Sequence, residues 1–218
     1  MIRHGARMTS TRGVLLAHAA LLWGAWVPLA AQTPEERSVP DAVVREGTLS
    51  FDGRATAGNF TGTTTTVAGE LKGGRLTDAR GWVEAPVATL ATGNQRRDRD
   101  LNKSMESDTY PTIRFDLTGV TASAPLGDSV NAELHGQFII HGVTREATIP
   151  ASVVFRGQNT RLRGETPLNL KDYRIGGLSK ALGMLKMNEE ILVHLDVTFE
   201  SSTAPTPRSP SPPAGAGS

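Results

Sequence analysis

The residues of this 218-residue chain whose types could do chemistry are few, and their spacing is the first question. His135 and His141 share a parity along one alternating segment, and His194 lies on the polar parity of another. Zinc needs three or four converging ligands held by a second shell of hydrogen bonds. No His/Glu spacing of that kind stands out, so these histidines are expected to face solvent and no metal site is assigned. A serine nucleophile needs a base and an oxyanion site, normally announced by a Gly-x-Ser-x-Gly elbow or a Ser-x-x-Lys cluster. Ser179-Lys180 is neither, and Gly73-Gly74 and Gly176-Gly177 read as turns rather than as a phosphate cradle between strand and helix. No catalytic residue is assigned and no cofactor is implied.

Two features remain as binding chemistry. The run Arg96-Arg97-Asp98-Arg99-Asp100 could meet an anionic headgroup, because guanidinium pairs well with phosphate, although a solvated short helix of mixed charge explains it as readily. Trp82 could be a stacking platform, and packing in a sheet wall is preferred for it. Cysteine is absent, which removes disulfides, thiolate metal sites and thiol nucleophiles together. Lysine plus arginine exceed aspartate plus glutamate by one, so the concentrated basic surplus of a nucleic-acid-binding protein is missing.

The elements that must position these residues are strands. Alternating apolar and polar runs recur between Gly, Asn, Asp and Pro turns: Thr48 to Phe51, Gly58 to Thr61, Thr65 to Lys72, Trp82 to Ala88, Thr112 to Leu117, Leu134 to Ile140, Ala147 to Phe155, Arg161 to Asn169 and Ile191 to Phe199. His141-Gly142 reads as a hairpin turn. Only Arg97 to Met105 and Ser179 to Lys186 look helical, and both are short. The fold class is therefore all-β, an antiparallel barrel of about eight strands with one or two short helices. Closure removes the exposed edges of a long sheet, and a barrel of about eight strands is wide enough to be filled by side chains or to hold one ligand.

At the N-terminus, Arg3, Arg7 and Arg12 precede an apolar run from Val14 to Ala31 that ends in small residues, with no acid before Glu35. This is the layout of a secretory signal peptide over residues 1–31, cleaved after Ala31; an uncleaved membrane anchor is the alternative. Residues 32–40 are expected to be a linker, 41–201 the barrel domain, and 202–218 a disordered tail of Pro, Ser and Ala. The mature protein is expected in the periplasm or secreted, with no stable membrane insertion.

Four segments carry a family resemblance: Gly47 to Gly53 with Gly58 to Gly62; Arg97 to Met105 with Tyr110 to Phe115; Gly136 to Arg145 with Ala147 to Pro150; and Asn188 to Phe199. In this order they resemble the YceI-like family of bacterial periplasmic lipid-binding proteins. The resemblance implies an extended, lipocalin-like antiparallel barrel that binds polyisoprenoids, quinones or similar long amphiphiles without bond chemistry. The chain departs from the family at Pro40 to Val44, which lacks an opening aromatic, and over Asp172 to Lys186. Strand parity proposes Phe51, Phe60, Val83, Ile113, Phe115, Phe138, Ile140, Val153, Val193 and Leu195 as ligand contacts, with Leu178 and Met184 at the mouth. Parity alone leaves open that these residues fill a dry core. The partners implied are a long-chain lipid or isoprenoid and, as an open option, a second copy of the chain. The rival function is a filled barrel that docks to a membrane redox component or acts in a stress response.

Overall fold

The structure, a computed structural model, describes residues 37–56, 58–123, 127–176, 179–180 and 185–202. Thirteen strands and one α-helix follow in chain order: β1 (Ser38–Val39), β2 (Ala42–Ala55), β3 (Gly58–Thr64), β4 (Ala68–Lys72), β5 (Gly74–Arg75), β6 (Arg80–Pro86), α1 (Gln95–Ser104), β7 (Thr112–Ala122), β8 (Ser129–Ile140), β9 (Val143–Arg156), β10 (Asn159–Asn169), β11 (Ser179–Lys180), β12 (Leu185–Lys186) and β13 (Glu190–Ser201). Eight of the strands close a ring through antiparallel pairs, in the order β2, β4, β6, β7, β8, β9, β10 and β13, with β13 returning to β2. The chain is thus a closed antiparallel β-barrel with one helix.

Closure depends on β2, whose 14 residues serve two neighbours on one side. Its first residues, Ala42 and Val43, pair with β4, and its second half from Leu49 to Ala55 pairs with β3. On its other side β2 pairs with β13 from Ala42 to Asp52, interrupted by one irregularity at Thr198/Phe199. Alternation along each strand puts one parity inside. In β8, Val130, Ala132, Leu134, Phe138 and Ile140 are buried while Asn131 and Glu133 are exposed. The outer parity carries ion pairs, among them Asp196 of β13 accepting from both Arg161 and Arg163 of β10.

Several local expectations shift. Ser38–Val39, assigned to a linker, pairs with β5, and Val39 is buried because it plugs one end of the barrel beside Leu71 and Leu76. β6 stops at Pro86 and the chain tightens into a 3-10 turn over Val87–Thr89, consistent with proline lacking the ladder donor. The helix expected over Ser179 to Lys186 is corrected at both its ends: Ser179 pairs with Lys186 and Lys180 with Leu185 as a small antiparallel ribbon. Gly176 and Gly177 precede this stretch in the sequence and disfavour helix, and residues 181–184 lie outside the described residues. Residues 1–31, 32–36 and the tail from 203 lie outside the described residues, and among the described residues no helix is long and apolar enough to cross a membrane.

The barrel interior is divided along its axis. At one end Val39, Leu71, Leu76, Val120, Val130, Leu134, Val197 and Phe199 pack as a buried core. The tilted pair of Phe115 and Phe138, with ring centroids 4.9 Å apart, lies between this core and the other end, which is open inside.

Candidate functional site

A cavity of about 680 Å³ occupies the open end, within the usual range for a small-molecule site. Its walls are the second half of β2 (Leu49, Phe51, Ala55), Phe60 of β3, the start of β7 (Ile113), the end of β8 (Phe138, Ile140), Leu168 of β10, and Ile191 and Val193 at the start of β13. Because the strands are antiparallel, these stretches meet at the same end of the ring. The remaining walls are non-strand: Leu90 and Asn94 before α1, the α1 face of Arg97, Leu101 and Ser104 with Met105 beyond it, the 3-10 turn residues Leu170 and Tyr173, and then Ile175 and Met187.

Each wall has a sequence cause. Phe51 stands opposite Gly62, and Gly53 opposite Phe60, in the β2–β3 ladder. A Cβ at either glycine would strike the facing ring, so the two glycines allow two phenylalanines to lie across the hairpin. The rings meet edge to face with centroids 6.1 Å apart, a preferred aromatic geometry. α1 begins at Asn94, whose side-chain oxygen accepts from the backbone N–H of Arg96 at 3.0 Å and of Arg97 at 3.2 Å, an N-cap. Asp98 accepts from Thr92 N–H and Oγ1. Leu101 and Met105, four residues apart on one helix face, line the cavity, and Asp98 anchors the helix to the preceding loop.

The C-terminal end of α1 is fixed by a small buried cluster around the β8–β9 turn. His141 (φ 52°) and Gly142 (φ 71°) form a two-residue hairpin loop with both residues left-handed, the geometry of a type I′ turn. This turn folds the His141 side chain inward, which corrects the expectation that it faces solvent. Its Nδ1 donates to the Tyr173 carbonyl at 3.0 Å, its ring packs on Tyr110 at 4.6 Å, and Nε2 lies 3.5 Å from Glu106 Oε1. The cluster ties α1 and the 3-10 turn, two cavity walls, to the barrel rim. Burial raises the Tyr173 phenol, which keeps it neutral. The other two histidines stay on the outer face: His135 bridges Thr121 and Thr148, and His194 Nε2 donates to Asp52 at 3.0 Å.

Of the residues proposed from parity, Phe51, Phe60, Ile113, Phe138, Ile140 and Val193 come together on the large cavity. Val83, Phe115 and Leu195 sit deeper, on a void of about 30 Å³ that Phe138 also borders. Val153 lines a void of about 50 Å³ at the packed end. Leu178 and Met184 lie outside the described residues. The parity reading did not include the strand residues Leu49, Ala55, Leu168 and Ile191, nor the walls that are not strands: Leu101, Met105, Tyr173, Ile175 and Met187. The Leu101/Met105 spacing was a usable signal for α1, whereas nothing local marks Tyr173 or Ile175. Trp82 is in the barrel wall, on the outer parity, with the Arg114 guanidinium 4.5 Å above its ring. Among the described residues no three His, Asp or Glu side chains converge as a metal site.

A family model described as a YceI-like domain matches residues 42–199. The crystal structure of Burkholderia cenocepacia BcnA superposes with a TM-score of 0.58 at 16% identity, covering 70% of this chain and 95% of that one. A polyisoprenoid binding domain from Saccharophagus degradans, implicated in plant cell wall breakdown, superposes with a TM-score of 0.57 at 13% identity, covering 75% of this chain and 99% of that one. At these identities the likeness is one of fold. No curated protein matches the sequence.

Proposed function

The chain belongs to the YceI-like family, and from that premise we propose that it is an exported binding protein that holds a long apolar amphiphile, of polyisoprenoid or quinone type, in the cavity under α1. The observation that carries this reading is the cavity itself: about 680 Å³ of chiefly apolar space at one end of a barrel whose other end, among the described residues, holds only a void of about 50 Å³. A folded protein that wanted only a stable barrel would fill that space, because unfilled core volume costs stability. An alkyl or isoprenoid chain supplies the missing contacts and gains about 0.8 kcal/mol for each methylene removed from water. The polyisoprenoid-binding neighbour from Saccharophagus degradans supports the same ligand class. The function is sequestration or carriage without bond chemistry. The arginine-led apolar stretch up to Ala31 supports export to the periplasm.

The test is native mass spectrometry of the protein purified from the periplasm of its own cells, followed by organic extraction. A stoichiometric long-chain amphiphile establishes the carrier. An unliganded mass that stays unchanged on incubation with isoprenoids overturns it.

A further inference from the structure

We infer that Arg96 and Arg97 form a headgroup site at the mouth of the cavity, so that the amphiphile held there carries an anionic oxygen head, a phosphate or a carboxylate. This inference rests on the carrier reading and specifies its ligand. The depth of the cavity is apolar; among the described residues the charged groups on its lining are Arg96, Arg97 and Asp100, all from the first six residues of α1. Two guanidiniums thus stand against one carboxylate.

Their placement runs against local preference. Arg96 and Arg97 occupy the first turn of α1, where the helix dipole disfavours cations and favours acids. Sequences break such rules chiefly where function requires it. Of the two acids of α1, Asp98 is engaged with Thr92, and Asp100, at the cavity mouth, makes an interaction of its own. Among the described residues no carboxylate lies within ion-pairing distance of either guanidinium. Arg97 is instead laid over the Phe60 ring, with its guanidinium carbon 4.2 Å from the centroid, and is partly buried against the cavity wall. Cation–π contact of this kind fixes the position of a guanidinium without consuming its donors. Those donors remain for a ligand oxygen, and a charge-assisted pair beside a low-dielectric wall is stronger than one in water. An anion bound there has its chain pointing down past Phe60 and Phe51 toward Phe138.

The experiment compares ligands that differ only in the head. Geranylgeranyl phosphate and geranylgeraniol, and palmitate and hexadecanol, are titrated into the full protein and into R96Q/R97Q, by displacement of a fluorescent fatty alcohol. Each anion is expected to bind at least tenfold tighter than its alcohol, and the double variant to bring that ratio close to one, the ratio being read within each protein so that any change in alcohol affinity cancels; a ratio that persists in the double variant overturns the assignment to these arginines. A ratio that appears only in the phosphate pair assigns the head as phosphate; a ratio in both assigns anionic oxygen generally. An R97K variant retains most of the preference. Equal affinity of anion and alcohol for the unaltered protein overturns the headgroup site and leaves the carrier standing. Failure of all four probes to bind overturns both.

Discussion

The single residue that tells most about the cavity is Leu168, since it lines the cavity from β10 and is only partly buried where it packs against the core. Replacing it with a larger side chain fills volume that the native fold leaves empty. Leu168→Trp is therefore expected to weaken binding of a C16 or longer alcohol at least tenfold, about 1.4 kcal/mol, in a displacement titration. Its urea midpoint stays close to that of the parent, because the added bulk enters open space rather than a filled core. A large loss of stability with normal binding would mean that Leu168 is packed. Residue-level reading of the sequence reached Phe51, Phe60, Ile113, Phe138, Ile140 and Val193 because strand alternation fixes which side of the sheet a residue faces. It could not reach depth. Val83, Phe115, Val153 and Leu195 share the inward parity, yet they lie below the cavity floor, because position along the barrel axis depends on register between strands far apart in sequence.

Among the elements, α1 is the helical wall of the cavity. It holds to the loop through Asn94 and Asp98 and to the barrel rim through the Glu106, Tyr110 and His141 cluster, and none of its residues is fully buried. Asn94→Ala removes the cap and is expected to cost about 1 kcal/mol. Amide exchange in Gln95–Ser104 should rise about fivefold, with the β8 and β9 amides unchanged, and a bound lipid should dissociate faster. Exchange that rises equally in the barrel would show that α1 is part of the cooperative core. The helix was legible in the sequence to within two residues at its start, from the run Arg97 to Met105. The ribbon of β11 and β12 was not, because its four residues owe their strand pairing to each other and carry no alternation of their own.

For the molecule as a whole, closure of the ring places β10, β13 and β2 side by side, and their outer face is a network of charge. Asp196 accepts 2.7 Å bonds from Arg161 Nε and Nη2 and a 2.9 Å bond from Arg163, which hold its carboxyl below the ordinary range. Asp52, bonded by Thr61 and by His194, is lowered likewise. A carboxylate with a depressed folded-state pKa contributes stability that is present above its unfolded value, about 3.9, and is lost as pH falls through the folded value. Asp196→Asn is accordingly expected to be less stable than the parent at neutral pH, by less than about 1 kcal/mol for so exposed a group, and to lose less stability below about pH 4. Urea unfolding at a series of pH values reads both. Parallel curves for parent and variant would show that the network is screened out by solvent.

The division of the barrel along its axis separates two kinds of inheritance. Every long strand passes through both ends, so one strand carries positions that hold the fold, such as Val130 and Leu134 in β8, and positions that shape the vessel, such as Phe138 and Ile140. Substitutions at the open end change what fits while the packed end keeps the ring closed. The fold-bearing and cavity-bearing positions are thus separable along each strand, so the barrel tolerates change at the open end without losing its closure.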